Sequence, residues 1–253
     1  MARVSDAVTT SDADSWAGIA SLEGVGSAVA AARDGIDALL RDRGLRRTDP
    51  ATTAESLLRG AWASAVLEGS ESSEDDIRRG RADDVAAGAV RVSTELLSLL
   101  PVLSRTPLQA LARLHALGAP ANSPGDDRGR PRDAEAARRL AALARRLFES
   151  TTTPALVVAA LVHADIATAA PFASVNGIVA RAAERLVLVG RGVDPTSLTV
   201  PEAGHLRLRP AYESNLRAYA SGTPSGIGAW VRYAAEAYTA GAQASPLARP
   251  LPG

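Results

Sequence analysis

Ala170-Pro171-Phe172-Ala173-Ser174-Val175-Asn176-Gly177-Ile178-Val179-Ala180-Arg181 decides how this chain is read. An apolar run of helical character, Pro154 to Ala169, feeds into Pro171-Phe172. A tight Ser-Val-Asn-Gly connection follows, and a second helix opens at about residue 176 with Arg181 on its first turns. A connection of this kind delivers a helix N-terminus whose N–H groups are unpaired and whose dipole end is positive, which is a ready anion site.

Outward from this loop, helical patterns fill most of the chain. Residues 154–169 are apolar nearly all round, as a central buried helix is. Helices are expected at about 176–191, 209–220 and 226–243. Arg132 to Phe148 is amphipathic, with Leu140, Leu143 and Leu147 on one face. Its Arg138, Arg139, Arg145 and Arg146 form a solvated face or meet an acidic partner. Gly118 to Pro131, with three prolines and three glycines, reads as a loop or short hairpin. Thr106-Pro107 opens a helix through Leu117, and Ser73, followed by Glu74-Asp75-Asp76, caps a long helical pattern towards Leu100. Thr52 or Thr53 caps a helix running to about Glu68, with Glu55 placed for a capping box if Thr52 is the cap. Gly26 to Arg43 carries Val29, Ile36, Leu39 and Leu40 at helical spacing. Residues 1–24 and the Pro-rich 245–253 read as loose ends. The pattern shows no repeat of about 20–50 residues, which argues against a solenoid. The fold class is all-α.

Composition narrows the chemistry. The chain has 253 residues, 46% apolar and 22% charged, with ample length for a core. Net charge is zero, so no overall field attracts nucleic acid or an anionic membrane. Cysteine is absent, which excludes disulfides, thiolate catalysis and cysteine metal sites. All 28 basic residues are arginine, so a P-loop lysine, a Schiff base and a lysine general base are excluded too. The N-terminus holds Asp6, Asp12 and Asp14 without an apolar signal region, and no apolar run approaches ~18 residues without a charge. A cytoplasmic, soluble protein without nucleic-acid or membrane partners is expected. A protein partner and self-association stay open.

The frame of residues 170–181 resembles the signature of the Fic family, His-Pro-Phe-x-Asp/Glu-Gly-Asn-Gly-Arg-x-x-Arg. Pro171, Phe172, Asn176, Gly177 and Arg181 match it. Ala170 stands where the family has its histidine, Ser174 where it has its acid, Val175 at its first glycine and Ile178 at its first arginine. Upstream, Ser64-Ala65-Val66-Leu67-Glu68-Gly69 resembles the family's inhibitory helix, Ser/Thr-x-x-x-Glu-Gly/Asn, in the arrangement that precedes the catalytic motif. Thr106-Pro107-Leu108 through Leu114-His115 is similar to the helix before the family's flap. The resemblance covers about residues 50–245. It implies a Fic-like helical bundle with a short β-hairpin flap near 118–131. The implied layout is a flexible 1–24, N-terminal helices at 25–100, a Fic-like core at 101–244 and a flexible tail at 245–253.

Fic enzymes typically move AMP from ATP to a protein hydroxyl. Their histidine takes the hydroxyl proton, their acid binds Mg²⁺ on the phosphates, their Gly-Asn-Gly backbone cradles the phosphates and their arginines hold the distal end. Ala170 cannot accept a proton, and losing a positioned base typically removes ~10²–10⁴ in rate. Ser174 is a weak ligand for Mg²⁺. Val175 is β-branched, resists φ > 0 and crowds a phosphate against the backbone. Ile178 removes a bidentate phosphate donor. The leading reading is therefore a Fic-like protein that has lost AMP transfer and acts in binding or regulation. ATP and Mg²⁺ are expected to bind weakly at best. The remnant anion loop is Pro171, Phe172, Ser174, Asn176, Gly177 and Arg181, and the inhibitory-helix-like residues are Ser64, Glu68 and Gly69. One rival reading is transfer of another phosphate-containing group through Asn176, Gly177 and Arg181. Another is a purely structural or oligomerisation module.

The three histidines offer no obvious replacement base. His163, two helical turns before Ala170, reads as a core or helix-face histidine, His115 as a cation at a helix end, and His205 as a loop residue. No acid lies at metal-ligand spacing from them, so no metal site is expected. Asp165 reads as a cap or a solvated helix residue. In the resembling family the inhibitory glutamate pairs with the last arginine of the motif. Glu68 and Arg181 are accordingly expected to form a buried pair between two helices, aided by the planar, bidentate-capable guanidinium.

Overall fold

A computed structural model describes residues 16–41, 50–149 and 152–248; the expected loose segments 1–15 and 249–253, and Arg43, lie outside the described residues. The described helices are α1 (Val25–Leu39), α2 (Pro50–Leu67), α3 (Glu74–Arg78), α4 (Asp84–Glu95), α5 (Leu100–Arg105), α6 (Pro107–Gly118), α7 (Ala134–Glu149), α8 (Ala155–Ala169), α9 (Asn176–Gly190), α10 (Pro201–Arg207), α11 (Arg209–Ala220) and α12 (Pro224–Gln243). No strand occurs among the described residues. The bundle is all-α.

α8 is central because its sequence leaves it no polar face: Leu156 through Ala164 and Ile166 are all buried. α9 packs along it more extensively than any other pair of helices packs. α7, α11 and α12 pack on α8, while α2, α4, α5 and α6 meet α9. A large-to-small change at Leu161, fully buried, removes about 2–5 kcal/mol. α8 ends where Ala170 turns left-handed (φ 42°), its N–H still reaching Ile166 O at 3.0 Å, and Pro171 then prevents continuation.

Several sequence expectations change. Ser73 caps a helix through a reciprocal box with Asp76, but that helix stops at Arg78. Gly80 turns left-handed, and Asp83 starts a new helix by accepting the N–H of Ala86 at 2.8 Å. From there α4, a 3-10 turn at Leu96–Leu99 and α5 run nearly continuously across the expected 100/101 boundary. This Asp84–Arg105 stretch is long and apolar enough to cross a membrane by length and composition alone, and a third of its most apolar window is buried in the bundle. α2 begins at Pro50, upstream of both proposed threonine caps. Thr53 donates to Thr196 O, and Glu55 pairs with Arg59 and Arg78 instead of boxing a cap. α10, with His205 on it, replaces an expected loop. Residues 16–24 are not loose: Trp16 is buried beside a 3-10 turn at Ala17–Ser21.

The segment 119–131 takes the loop alternative rather than the hairpin. It forms turns and a short 3-10 turn at Gly125–Asp127, tied by Arg128 donating to Pro120 O and Ala121 O. Pro120, Pro124 and Pro131 supply no N–H to a ladder, which removes the basis for paired strands.

Candidate functional site

The Fic-like loop and the inhibitory-helix-like segment meet at the first turns of α9. α2 ends in a Schellman arrangement: Ser70 N–H reaches Ala65 O at 3.0 Å, Gly69 N–H reaches Val66 O at 3.1 Å, and Gly69 has φ 92°. Glu68 is therefore the residue that leaves the helix end, where a carboxylate is disfavoured by the dipole unless a cation answers it. Arg181 answers it. Its Nη2 donates to Glu68 Oε1 at 2.8 Å and to Ser64 O at 3.0 Å, its Nε to Ser64 Oγ at 2.9 Å, and its Nη1 to Tyr212 Oη at 3.1 Å. The expected pair is present, with two differences. Arg181 is buried at 1% exposure, whereas the Glu68 side chain is 27% exposed. The guanidinium fork is also divided between Ser64 and Glu68, so the carboxylate is held through one oxygen. Burial opposes the Arg181 charge, but Tyr212 and Glu68 outweigh it and keep the guanidinium protonated.

Gly177 explains how close the two helices come. A Cβ at this position would overlap Glu68 Oε1 and stand 3.1 Å from Arg181 Nη1. The Glu68 carboxylate thus lies over the first turn of α9, where the dipole favours an anion.

The loop's other residues turn inward. Asn176 clamps the loop: its Nδ2 donates to Phe172 O at 2.9 Å, and its Oδ1 accepts from Phe172 N–H at 2.9 Å. Phe172 is buried and stacks on His115 with ring centroids 4.4 Å apart. His115 is not a cationic cap: it is buried, its Nδ1 accepts the Gly129 N–H at 2.9 Å, and burial lowers its pKa. Val175 adopts φ 49°, a left-handed conformation that a β-branched residue rarely takes. Ile178 is buried in the core. Ser174 is half-buried. A cavity of about 10 Å³ lies between Ile178, Ser64 and Ala182, at the lower limit for one water. A larger cavity of about 240 Å³ meets the loop at Pro171 and is lined by Arg139, Arg146, Asp165 and Thr168. Asp165 is not a cap; it accepts from Tyr219 Oη at 2.5 Å, and burial raises its pKa.

The larger departure from the sequence reading lies one turn further along α9. Glu184 and Arg185 are charged residues in an apolar run, and both are buried. His163 and His205 converge on Glu184. His205 Nε2 is 2.9 Å from Glu184 Oε2, and His163 Nδ1 is 3.1 Å from the same oxygen but outside hydrogen-bond geometry. Tyr238 Oη donates to Glu184 Oε1 at 2.8 Å. Burial pulls the His163 pKa down to about 4, so its imidazole is neutral at neutral pH. Burial also opposes the Glu184 charge, but His163 and His205 outweigh it and hold the carboxyl well below the usual range. Arg185 donates to Glu202, Ser56, Ser197 and Thr199. The signal for this cluster was legible as two adjacent charges inside the apolar face of α9, and spacing along the sequence hid their partners.

No family model matches the chain, and no curated protein matches it at a significant level. Solved structures do. Fic-1 of C. elegans (residues 134–508) is 16% identical, with 87% of this chain and 71% of that one covered and a TM-score of 0.70. A Fic family protein from Desulfovibrio desulfuricans G20 is 17% identical, with 86% and 73% covered and a TM-score of 0.67. The chain has the Fic fold. At these identities the likeness extends to the path of the helices, and the side chains carry any argument about chemistry.

Proposed function

We propose that this Fic-fold chain has lost AMP transfer and works by binding or regulation. The observation that carries this reading is the state of the anion site at the start of α9: the Glu68 carboxylate lies over it, paired with Arg181, and no proton acceptor stands at Ala170. Transfer to a hydroxyl needs a base within hydrogen-bond reach of that proton, and an alanine methyl group offers none. Asn176 has both amide atoms committed to Phe172, and four of the five N–H groups of Arg181 have partners. The same commitments weigh against transfer of another phosphate-containing group through this loop.

The test is incubation of the purified chain, alone and with cell lysate, with labelled ATP and Mg²⁺. No labelled protein is expected. Mg²⁺-dependent labelling that disappears in Asn176→Ala would overturn the reading. A parallel thermal scan addresses binding: a ligand at a hundredfold excess over Kd stabilises by ~2.7 kcal/mol. Millimolar ATP, with or without Mg²⁺, is expected to move Tm hardly at all, and a rise of several degrees that requires Mg²⁺ would contradict the proposal.

A further inference from the structure

We propose that His163, Glu184 and His205 form a structural site for one divalent transition-metal ion, zinc in the first instance, inside the helical core. The three donor atoms, His163 Nδ1, Glu184 Oε2 and His205 Nε2, lie within 4.8 Å of one another and come from α8, α9 and α10. Two imidazoles and a carboxylate are a donor set that suits Zn²⁺. With metal–ligand bonds of about 2.0–2.2 Å in tetrahedral geometry, donors stand roughly 3.3–3.6 Å apart, so one ion draws donors that now lie within 4.8 Å of one another together by up to about 1.5 Å. The site is independent of any activity at the α9 N-terminus.

The surroundings resemble an outer coordination shell. The atom of each residue that faces away from the cluster is held by a tyrosine hydroxyl. His163 Nε2 is 2.9 Å from Tyr212 Oη, His205 Nδ1 is 2.9 Å from Tyr233 Oη, and Glu184 Oε1 accepts from Tyr238 at 2.8 Å. Such partners fix the tautomer and aim the opposite atom at a metal. Aromatics are scarce in this chain, yet three of its four tyrosines are placed here, and the Trp230 ring lies 5.2 Å from that of His163.

A plain hydrogen-bonded carboxylate does not account for every atom. His163 Nδ1 is fully buried and stands 3.1 Å from Glu184 Oε2, outside good hydrogen-bond geometry with it and with no other partner. Buried polar atoms are rarely left so, and those that are call for an explanation. Charge points the same way. Glu184 is fully buried against the His163 and His205 imidazoles, while the Arg181 guanidinium reaches this network only through Tyr212 and already engages Glu68. A divalent ion answers the buried carboxylate directly. The site is closed to solvent, so the metal would enter during folding, as structural zinc does.

The chain suits a clean test, because it has three histidines, all buried, and no cysteine. The full chain, purified without a polyhistidine tag, is reconstituted with Zn²⁺ alone during refolding and its metal content is measured. About one zinc per chain is expected, with a higher Tm than the chelator-treated protein. His115→Gln is expected to keep the metal, whereas Glu184→Gln and His205→Gln are expected to lose it by about tenfold or more. Zinc retained in a His163→Gln/His205→Gln double variant would overturn the assignment. If those variants do not fold, X-ray absorption at the zinc edge of the wild-type protein decides. Two imidazole ligands support the site, and an all-oxygen shell overturns it. Folded wild-type protein without stoichiometric zinc after reconstitution also overturns it.

Discussion

Arg181 and Arg185 stand one turn apart on α9, and both are buried, but they are held differently. Arg181 meets Ser64 of α2 and Glu68 just past its C-terminus, and this carboxylate partner is 27% exposed. Arg185 meets Ser56, two turns earlier on α2, and Glu202 of α10, which is 6% exposed. The signature-like motif includes the first arginine and omits the second, yet the second has the drier and more complete set of partners. An α9 arginine that donates to a serine of α2 while it pairs with a carboxylate is therefore a way of fastening α9 to its neighbours in its own right. The presence of the Glu68–Arg181 pair does not by itself imply an enzyme under restraint.

This contrast is sharpest in its energetics. Arg185→Ala would leave Glu202 buried beside the hydroxyl and carbonyl groups that Arg185 now satisfies. Removing one partner of a buried pair costs about 3–5 kcal/mol, and chemical denaturation is expected to show a loss of that size. Arg185→Lys is expected to recover little, since an ammonium cannot reproduce a fork with five donors. A loss below about 1 kcal/mol, the range of exposed pairs, would mean that the two arginines do not differ in the way their burial indicates.

Glu68→Gln tests the wetter pair. Glu68 retains solvent and is held through one oxygen, so the expected loss is ~1–3 kcal/mol, typical of one charge-assisted hydrogen bond. Under the proposed function the variant gains no transfer from labelled ATP. Appearance of transfer on removing this carboxylate would mean that the pair restrains a live site, and the comparison with Arg185 would fail where it matters most.

What the sequence revealed follows the same division. Local signals were readable: the apolar girth of α8, the Pro171 stop, the Glu68-Gly69 helix end and the motif that aligned Glu68 with Arg181. The interruption at Gly80 and the cap at Asp83 were local too, but the carboxylate run after Ser73 masked them. The His163–Glu184–His205 cluster and the Ser56–Arg185–Glu202 contact draw on helices far apart in the chain, and no periodicity encodes such meetings. His205 in particular read as a loop residue because α10, Pro201–Arg207, is too short to show a helical period.

Val175 offers a smaller test at the loop itself. Its φ of 49° is a glycine-like conformation adopted by a β-branched residue. Val175→Gly relieves about 1–2 kcal/mol of left-handed strain, but it loses the methyl contacts and frees the unfolded chain. The two effects nearly cancel, so a change within ~1 kcal/mol is expected, with no gain of ATP binding because Glu68 and Arg181 still fill the site. A clear nucleotide-dependent Tm shift in this variant would show that Val175, not the Glu68–Arg181 pair, closes the loop.

The smallest expected effect concerns the turn that presents Glu68. Asp83 caps α4 through Ala86 N–H and also ties down the segment after Gly69: its Oδ2 accepts from Ser70 Oγ at 2.6 Å and from Glu71 N–H at 3.2 Å. Partial burial pushes its pKa up, but these hydrogen bonds outweigh it and hold the group at about 2, against an ordinary 3.8. Between those values the unfolded chain binds more protons than the folded one, so stability falls as pH falls. The charge of Asp83 thus contributes fully above about pH 4, and the contribution is lost as pH approaches 2. Asp83→Asn keeps a capping oxygen and removes the titration. Because Asp83 is exposed, the stability difference between wild type and variant is expected to be below about 1 kcal/mol at neutral pH. It should shrink towards zero through the pH 4 to 2 window. A difference that stays constant across that window would mean that the geometry of Asp83, rather than its charge, holds the Glu68 turn in place.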